Sequence, residues 1–135
     1  MQVLVVEDFA PYRAYVTSLL GEYSRFRVVA ETENGLQAVE KAQELSPDLI
    51  LLDIGLPGLN GIDAARRILR LAPKSKILFL TQEISSDLAR EAFNLGAFGY
   101  VVKAQAGREL LAAIEAVLQG KRFVSSGLGV IVGPD

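Results

Sequence analysis

Four short apolar runs in this chain each end on a residue able to do chemistry. Val3–Val6 leads into Glu7 and Asp8, Leu49–Leu52 into Asp53, Ile77–Leu80 into Thr81, and Phe98–Val102 into Lys103. Singly, these residues have ordinary explanations. Most lysines are solvated, a threonine at a strand end suits a turn, and Asp8 could cap a helix. Asp53 could be a polar strand terminator. Together they suggest more. If Asp8 and Asp53 converge, their like charges repel, so one takes a proton or a cation joins them. A hard divalent ion such as Mg²⁺ meets that demand, because it takes oxygen ligands, keeps several waters and uses one or two carboxylates with phosphate oxygens. The ion and Lys103 would stabilise a transferring phosphoryl group. Thr81 could donate a hydrogen bond to a phosphoryl oxygen, with Asp53 as the nucleophile. Gly55 would let a loop carbonyl approach the ion closely.

Such a site needs a fold that brings several strand ends to one edge. With Phe26–Ala30 the chain has five apolar runs, four of them nearly uninterrupted, as in parallel strands covered on both faces. The gaps are too long for hairpins and suit crossover helices. They carry helical stripes: Tyr12, Tyr15, Val16, Leu19 and Leu20; then Leu36, Val39 and Ala42; Ala65, Ile68, Leu69 and Ala72; Leu88, Ala92 and Leu95; and Leu110, Leu111, Ile114, Val117 and Leu118. Gly21, Ser46-Pro47, Pro73, Gly96 and Gly120 stand where these helices should stop. The expected architecture is a three-layer α/β/α sandwich around a five-stranded parallel sheet. Right-handed crossovers leave few strand orders, of which 2-1-3-4-5 is a common one. In such sheets ligands gather beyond the carboxyl ends near the order reversal, here between the first and third strands. The tail from Lys121 to Asp135 reads as a poorly packed end.

Composition narrows the chemistry further. The 135 residues suffice for one domain. Half of them are apolar and 22% are charged, which is a globular balance. There is no cysteine and no histidine, which excludes disulfides, thiolate metal sites, Ser-His-Asp triads and most zinc chemistry. A net charge of −2 leaves no footprint for nucleic acid. No apolar run approaches the roughly 18 residues of a membrane span. MQVLVVED lacks the basic flank of a signal peptide. The expectation is a cytoplasmic protein that contacts no membrane.

The stretches EDFAPYR, LLDIGLPGLNGID, LTQ and GAFGYVVKA together resemble the receiver domain of two-component response regulators. The resemblance covers residues 1–122, and its ordered set of acidic pair, Asp with Pro four on and Gly eight on, Thr and Lys is specific. It implies the flavodoxin-like order 2-1-3-4-5. It also implies that Asp53 is the phosphoacceptor, that Asp8 ligates Mg²⁺ (or Mn²⁺) with Asp53 and the Gly55 carbonyl, and that Glu7 acts through a water. Thr81 resembles the switch hydroxyl, Lys103 the phosphate-pairing lysine and Tyr100 the switch aromatic. For Tyr100 the ordinary alternative is a half-buried strand aromatic. The implied donor is a phosphohistidine on a sensor histidine kinase. Phosphorylation would draw Thr81 inward and let Tyr100 rotate into the vacated space.

Departures from the family pattern are local. Glu7-Asp8 replaces Asp-Asp, as is frequent in the NarL/LuxR branch, and Gln82 replaces a small residue. Gly55 and Glu83 occupy positions that modulate phosphoryl lifetime. Ala104 follows Lys103 where proline is common, and the family geometry would make that peptide cis at a cost of roughly 3 kcal/mol. GKRFVSS resembles the close of a NarL/LuxR-type receiver, so residues 123–135 are expected to begin a linker to an output domain of a LuxR-type transcriptional regulator. This fragment itself should not bind DNA. A homodimer through the helix 4–strand 5–helix 5 face or the helix 1–helix 5 face is an expectation of the same kind. Ala112, Ala113 and Ala116 could offer a small-residue contact there, or simply be helix formers. The rivals are a stand-alone receiver with protein–protein output, a pseudo-receiver that docks without phosphorylation, a flavodoxin-like cofactor binder and a haloacid dehalogenase-type phosphatase. The cofactor binder lacks a phosphate cradle. Against the phosphatase, Gly55 stands where a second Asp would be needed.

Overall fold

In the structure, a computed structural model describing residues 1–130, strands and helices alternate along the chain. They are β1 (Gln2–Val6), α1 (Ala10–Gly21), β2 (Arg27–Thr32), α2 (Gly35–Leu45), β3 (Leu49–Leu52), α3 (Gly61–Leu71), β4 (Lys76–Thr81), α4 (Ser86–Leu95), β5 (Gly99–Val102), α5 (Ala106–Leu118) and β6 (Phe123–Val124). A 3₁₀ turn, Lys103–Gln105, joins β5 to α5. All neighbouring strands pair in parallel in the order β2-β1-β3-β4-β5-β6.

The expected order 2-1-3-4-5 holds, but the sheet has six strands rather than five. The tail is not a poorly packed end over its described part. Phe123 and Val124 pair with Gly99 and Tyr100, and Leu128 is buried within the core. Two residues of pairing are too few to read from sequence. The gain comes from covering the open edge of β5, where unpaired backbone groups would otherwise face solvent. Residues 131–135 of that tail lie outside the described residues.

Two apolar layers sandwich the sheet. One packs α2, α3 and α4 against Leu4, Val6, Ile50, Leu52, Ile77, Phe79 and Tyr100. The other packs α1 and α5 against Val3, Val5, Leu49, Leu51, Leu78 and Val101. β3 is buried on both faces, each of its side chains contributing roughly 1.5–3 kcal/mol of apolar burial. The edge strand β2 tolerates polar residues, and it therefore runs on to Glu31 and Thr32 beyond the apolar run.

Local signals set the helix ends. Asn34, Asn60 and Ser85 each accept a backbone N–H in the first turn of α2, α3 and α4. Asp63 adds negative charge at the start of α3. α4 stops at Gly96, whose φ of 118° suits glycine. Some stripe residues point outward: Tyr15 and Leu36 are exposed. Ala113 is fully buried against the sheet and is unavailable for a dimer contact. Every peptide bond among the described residues is trans, including Lys103–Ala104. Without proline the cis form has little to offset its cost, and the chain enters the 3₁₀ turn instead. No helix among the described residues is long and apolar enough to cross a membrane.

Candidate functional site

The sheet register brings the reactive residues together. Val6 pairs with Leu52, Leu52 with Phe79, and Thr81 with Val102. Glu7-Asp8, Asp53 and Lys103 follow directly on β1, β3 and β5, and Thr81 closes β4, so all reach the same edge. Asp8, Asp53, Thr81 and Lys103 line one cavity of about 320 Å³, together with Phe9, Gly55, Gln82 and Glu83.

Asp53 is held on both oxygens. Its Oδ1 accepts from the Ile54 N–H at 2.7 Å and its Oδ2 from the Lys103 ammonium at 3.1 Å. The same ammonium lies 2.6 Å from Glu7 Oε1, while Glu7 Oε2 accepts from the Phe9 N–H at 3.1 Å. Asp53 is 7% exposed and Glu7 3% exposed, whereas Asp8 is open to solvent. Oxygens of Glu7, Asp8 and Asp53 lie within 4.8 Å of one another. Two of these three carboxylates, Glu7 and Asp53, share the one ammonium, and Asp8 has no contact with it. When ionised the three leave two negative charges in excess, which a divalent cation would balance. The donor set is all oxygen, which suits a hard ion.

The titration behaviour follows from this geometry. Burial pushes the Glu7 carboxyl above its ordinary range, and the Lys103 and Phe9 hydrogen bonds only partly offset it. Burial works against the Lys103 charge, but the hydrogen bond to Glu7 and the adjacent Asp53 carboxylate outweigh it and hold the amine above its ordinary value. Lys103 therefore remains an ammonium at neutral pH.

Of the other residues singled out in the sequence, Thr81, Tyr100 and Gly55, the last two differ from expectation. Thr81 is 1% exposed and its Oγ1 accepts from the Glu83 N–H at 3.2 Å, leaving the hydroxyl proton free to donate. Tyr100 is fully buried rather than half-buried, and its hydroxyl donates to the Glu83 carbonyl at 2.8 Å. Burial, then Glu83 and Asp53, push this phenol up to about 12. Gly55 lines the cavity, but a Cβ there would meet nothing within 4 Å, so the loop path and not the missing side chain exposes its backbone.

The glycine the site requires is Gly61, where a Cβ would stand 1.9 Å from the Asp53 carbonyl oxygen. Its N–H donates to the Ile54 carbonyl at 2.8 Å, closing the loop under Asp53. That glycine is the one eight residues after Asp53 in the LLDIGLPGLNGID stretch; the spacing singles it out without revealing the contact. Arg13 is a second addition, donating to the Glu7 main-chain carbonyl at 2.7 Å and pairing with Glu31 at 3.3 Å.

The family model for the response regulator receiver domain matches residues 3–115. The response regulator GacA of Pseudomonas viridiflava is 33% identical over 125 residues, covering 93% of this chain and 58% of that protein. The response regulator UvrY of Escherichia coli K12 is 32% identical over 128 residues, covering 95% of this chain and 59% of that protein. A crystal structure of a LuxR-family two-component response regulator from Aurantimonas sp. SI85-9A1 matches with a TM-score of 0.89 at 35% identity, over 94% of this chain and 91% of that one. The chain spans less than two thirds of the length of the curated relatives.

Proposed function

The chain belongs to the response regulator receiver domain family, and on that premise we propose that Asp53 accepts a phosphoryl group from the phosphohistidine of a sensor histidine kinase. The observation that carries this reading is the Lys103 ammonium on Asp53 Oδ2, inside a cavity that Thr81 and Asp8 also line. An Asp53 carboxylate oxygen attacks phosphorus, a P–O bond forms, the P–N bond breaks, and the imidazole leaves with the electron pair. Lys103 stabilises the negative charge on the phosphoryl oxygens, and the Thr81 hydroxyl donates to one of them afterwards. Glu7, Asp8 and Asp53, with the Gly55 carbonyl, would hold Mg²⁺ or Mn²⁺. When bound, the ion neutralises charge between nucleophile and phosphate.

Phosphorylation adds about −1.5 to −2 of charge, by analogy with phosphoserine. Because Tyr100 is already buried on the Glu83 carbonyl, the modification stabilises this inward state rather than creating it, a shift of population. The β4–α4 loop carries that change to the face of α4, β5 and α5. There β6 already covers the β5 edge, so a homodimer through this face includes β6. The α1–α5 face is the other dimer route. The likeness to LuxR-family proteins supports a place as the amino-terminal part of a cytoplasmic transcriptional regulator whose DNA binding resides outside this fragment. Gly55 offers no second acid for turnover as a phosphatase. Incubation with a small phosphodonor, with and without Mg²⁺, tests the proposal by intact mass. One metal-dependent adduct is expected, and turnover without an adduct overturns it.

A further inference from the structure

Lys103 is held on three sides, and only two of them are carboxylates. Its ammonium lies 2.6 Å from Glu7 Oε1, 3.1 Å from Asp53 Oδ2 and 4.6 Å from the centre of the Tyr12 ring. Tyr12 stands in the first turn of α1, just past the acidic pair. Its hydroxyl is buried and has no hydrogen-bond partner. Burying a phenol oxygen in that way costs free energy. The hydroxyl therefore does not account for an aromatic residue here. What the surroundings use is the ring face. Tyr15 packs against that ring at 5.5 Å between centroids, restricting its tilt.

Both carboxylates that hold Lys103 are committed elsewhere in the reaction. Glu7 and Asp53 belong to the cluster suited to a divalent ion, and Asp53 changes chemically when it is phosphorylated. The ring competes for neither metal nor phosphate. Its negative face attracts an ammonium at any working pH, most strongly where water is excluded, and the Lys103 side chain is only 10% exposed.

We infer that Tyr12 is a positioning residue for Lys103, its ring face keeping the ammonium over Asp53 while metal and phosphoryl group draw on the carboxylates. The inference rests on the reading of Asp53 as phosphoacceptor. Two substitutions separate the ring from its bulk: Tyr12→Phe keeps the face, and Tyr12→Leu keeps only apolar volume.

Two measurements test the inference. With a small phosphodonor and Mg²⁺, the adduct should form about 3- to 30-fold more slowly in Tyr12→Leu and within about twofold of native in Tyr12→Phe. In metal-free protein labelled with ¹³C-lysine, the Lys103 ε-methylene protons, assigned by their loss in Lys103→Met, should be shifted upfield by the ring. Lys76, 4.0 Å from the Phe98 ring centre, is an internal control for such a shift. The Lys103 shift should persist in Tyr12→Phe and vanish in Tyr12→Leu. An unshifted Lys103 in the native protein, or a Tyr12→Leu protein phosphorylated at the native rate, overturns the inference. Failure of the native chain to form any adduct would instead sink the phosphoacceptor reading, and the lysine spectrum would still decide whether Tyr12 holds Lys103.

Discussion

Glu7, buried, and Glu109, half-buried, are both glutamates near the carboxyl end of the sheet, yet their surroundings treat them in opposite ways. Glu109, in the first turn of α5, accepts from the Ser125 hydroxyl at 2.6 Å, the Ser126 N–H at 3.2 Å and the Ser126 hydroxyl at 3.1 Å. Ser125 Oγ in turn accepts from the Val102 N–H at 2.9 Å, which ties β6 to β5. Burial opposes the Glu109 charge, but these donors outweigh it and hold the carboxyl below its ordinary value. Glu7 has one backbone donor and a lysine that it shares with Asp53, and burial pushes it up. A carboxylate satisfied by neighbours on its own wall is an anchor. One left under-compensated beside two others is where a bound cation would relieve the most charge.

The sharpest break in this comparison is Asp53→Asn. It should abolish the phosphodonor-dependent mass increase while leaving Glu109 and the β6 anchor intact, which near-native circular dichroism would register. Gly61→Ala should come next. Its Cβ would collide with the Asp53 carbonyl oxygen, so the loop under the nucleophile must shift. We expect a loss of about 3 kcal/mol in urea unfolding, with slower phosphorylation. If Gly61→Ala unfolded at the native midpoint, the close approach assigned to Gly61 would be wrong.

Matched substitutions at the two acids should then move stability in opposite directions. Glu109→Gln should lower stability by about 1–2 kcal/mol, since charge-assisted hydrogen bonds to Ser125 and Ser126 weaken, and phosphorylation should continue. Glu7→Gln in metal-free buffer should raise the melting temperature by roughly 3 °C, by removing a charge that burial disfavours. Equal signs for the two variants would erase the distinction drawn above.

The smallest effect is in the pH profile of metal-free protein. Glu109 has a lowered value, so its contribution is present above the unfolded value near 4.5 and is lost as pH falls through its folded value. Glu7 has a raised value, so protonation favours the folded state. That contribution is full below about 4.5 and is lost as pH rises through the raised value. Melting curves should therefore show a rise, as pH falls through the raised Glu7 value toward about 4.5, that Glu7→Gln flattens. They should then show a fall below about 4.5 that Glu109→Gln flattens.

Much of the frame was legible in the sequence, for a local reason. Uninterrupted runs such as Leu49–Leu52 advertise buried parallel strands, and helical stripes between them force crossovers on one edge. Asp53, Thr81 and Lys103 could thus be assigned to a common rim before any distance was known. Strand β6 was not legible, because Phe123–Val124 is short, flanked by polar residues, and stabilised by Glu109 some 16 residues earlier. Gly61 was marked by its place eight residues after Asp53, but only the start of α3 under Asp53 gives the reason for a glycine there. Tyr100 read as a strand aromatic on either account. Its burial depends on the Glu83 carbonyl 17 residues away.

The sequence by itself determined which chemical groups arrive at the carboxyl rim, because hydrophobic periodicity and crossover handedness are properties of neighbouring residues and their order. Tertiary structure alone decided how those groups share charge: that Lys103 bridges Glu7 and Asp53 beneath the Tyr12 ring, that Glu7 is under-compensated, and that Glu109 is not. Coulomb attraction and desolvation depend on distance and burial across the fold, and neither is written in the spacing of residues along a chain.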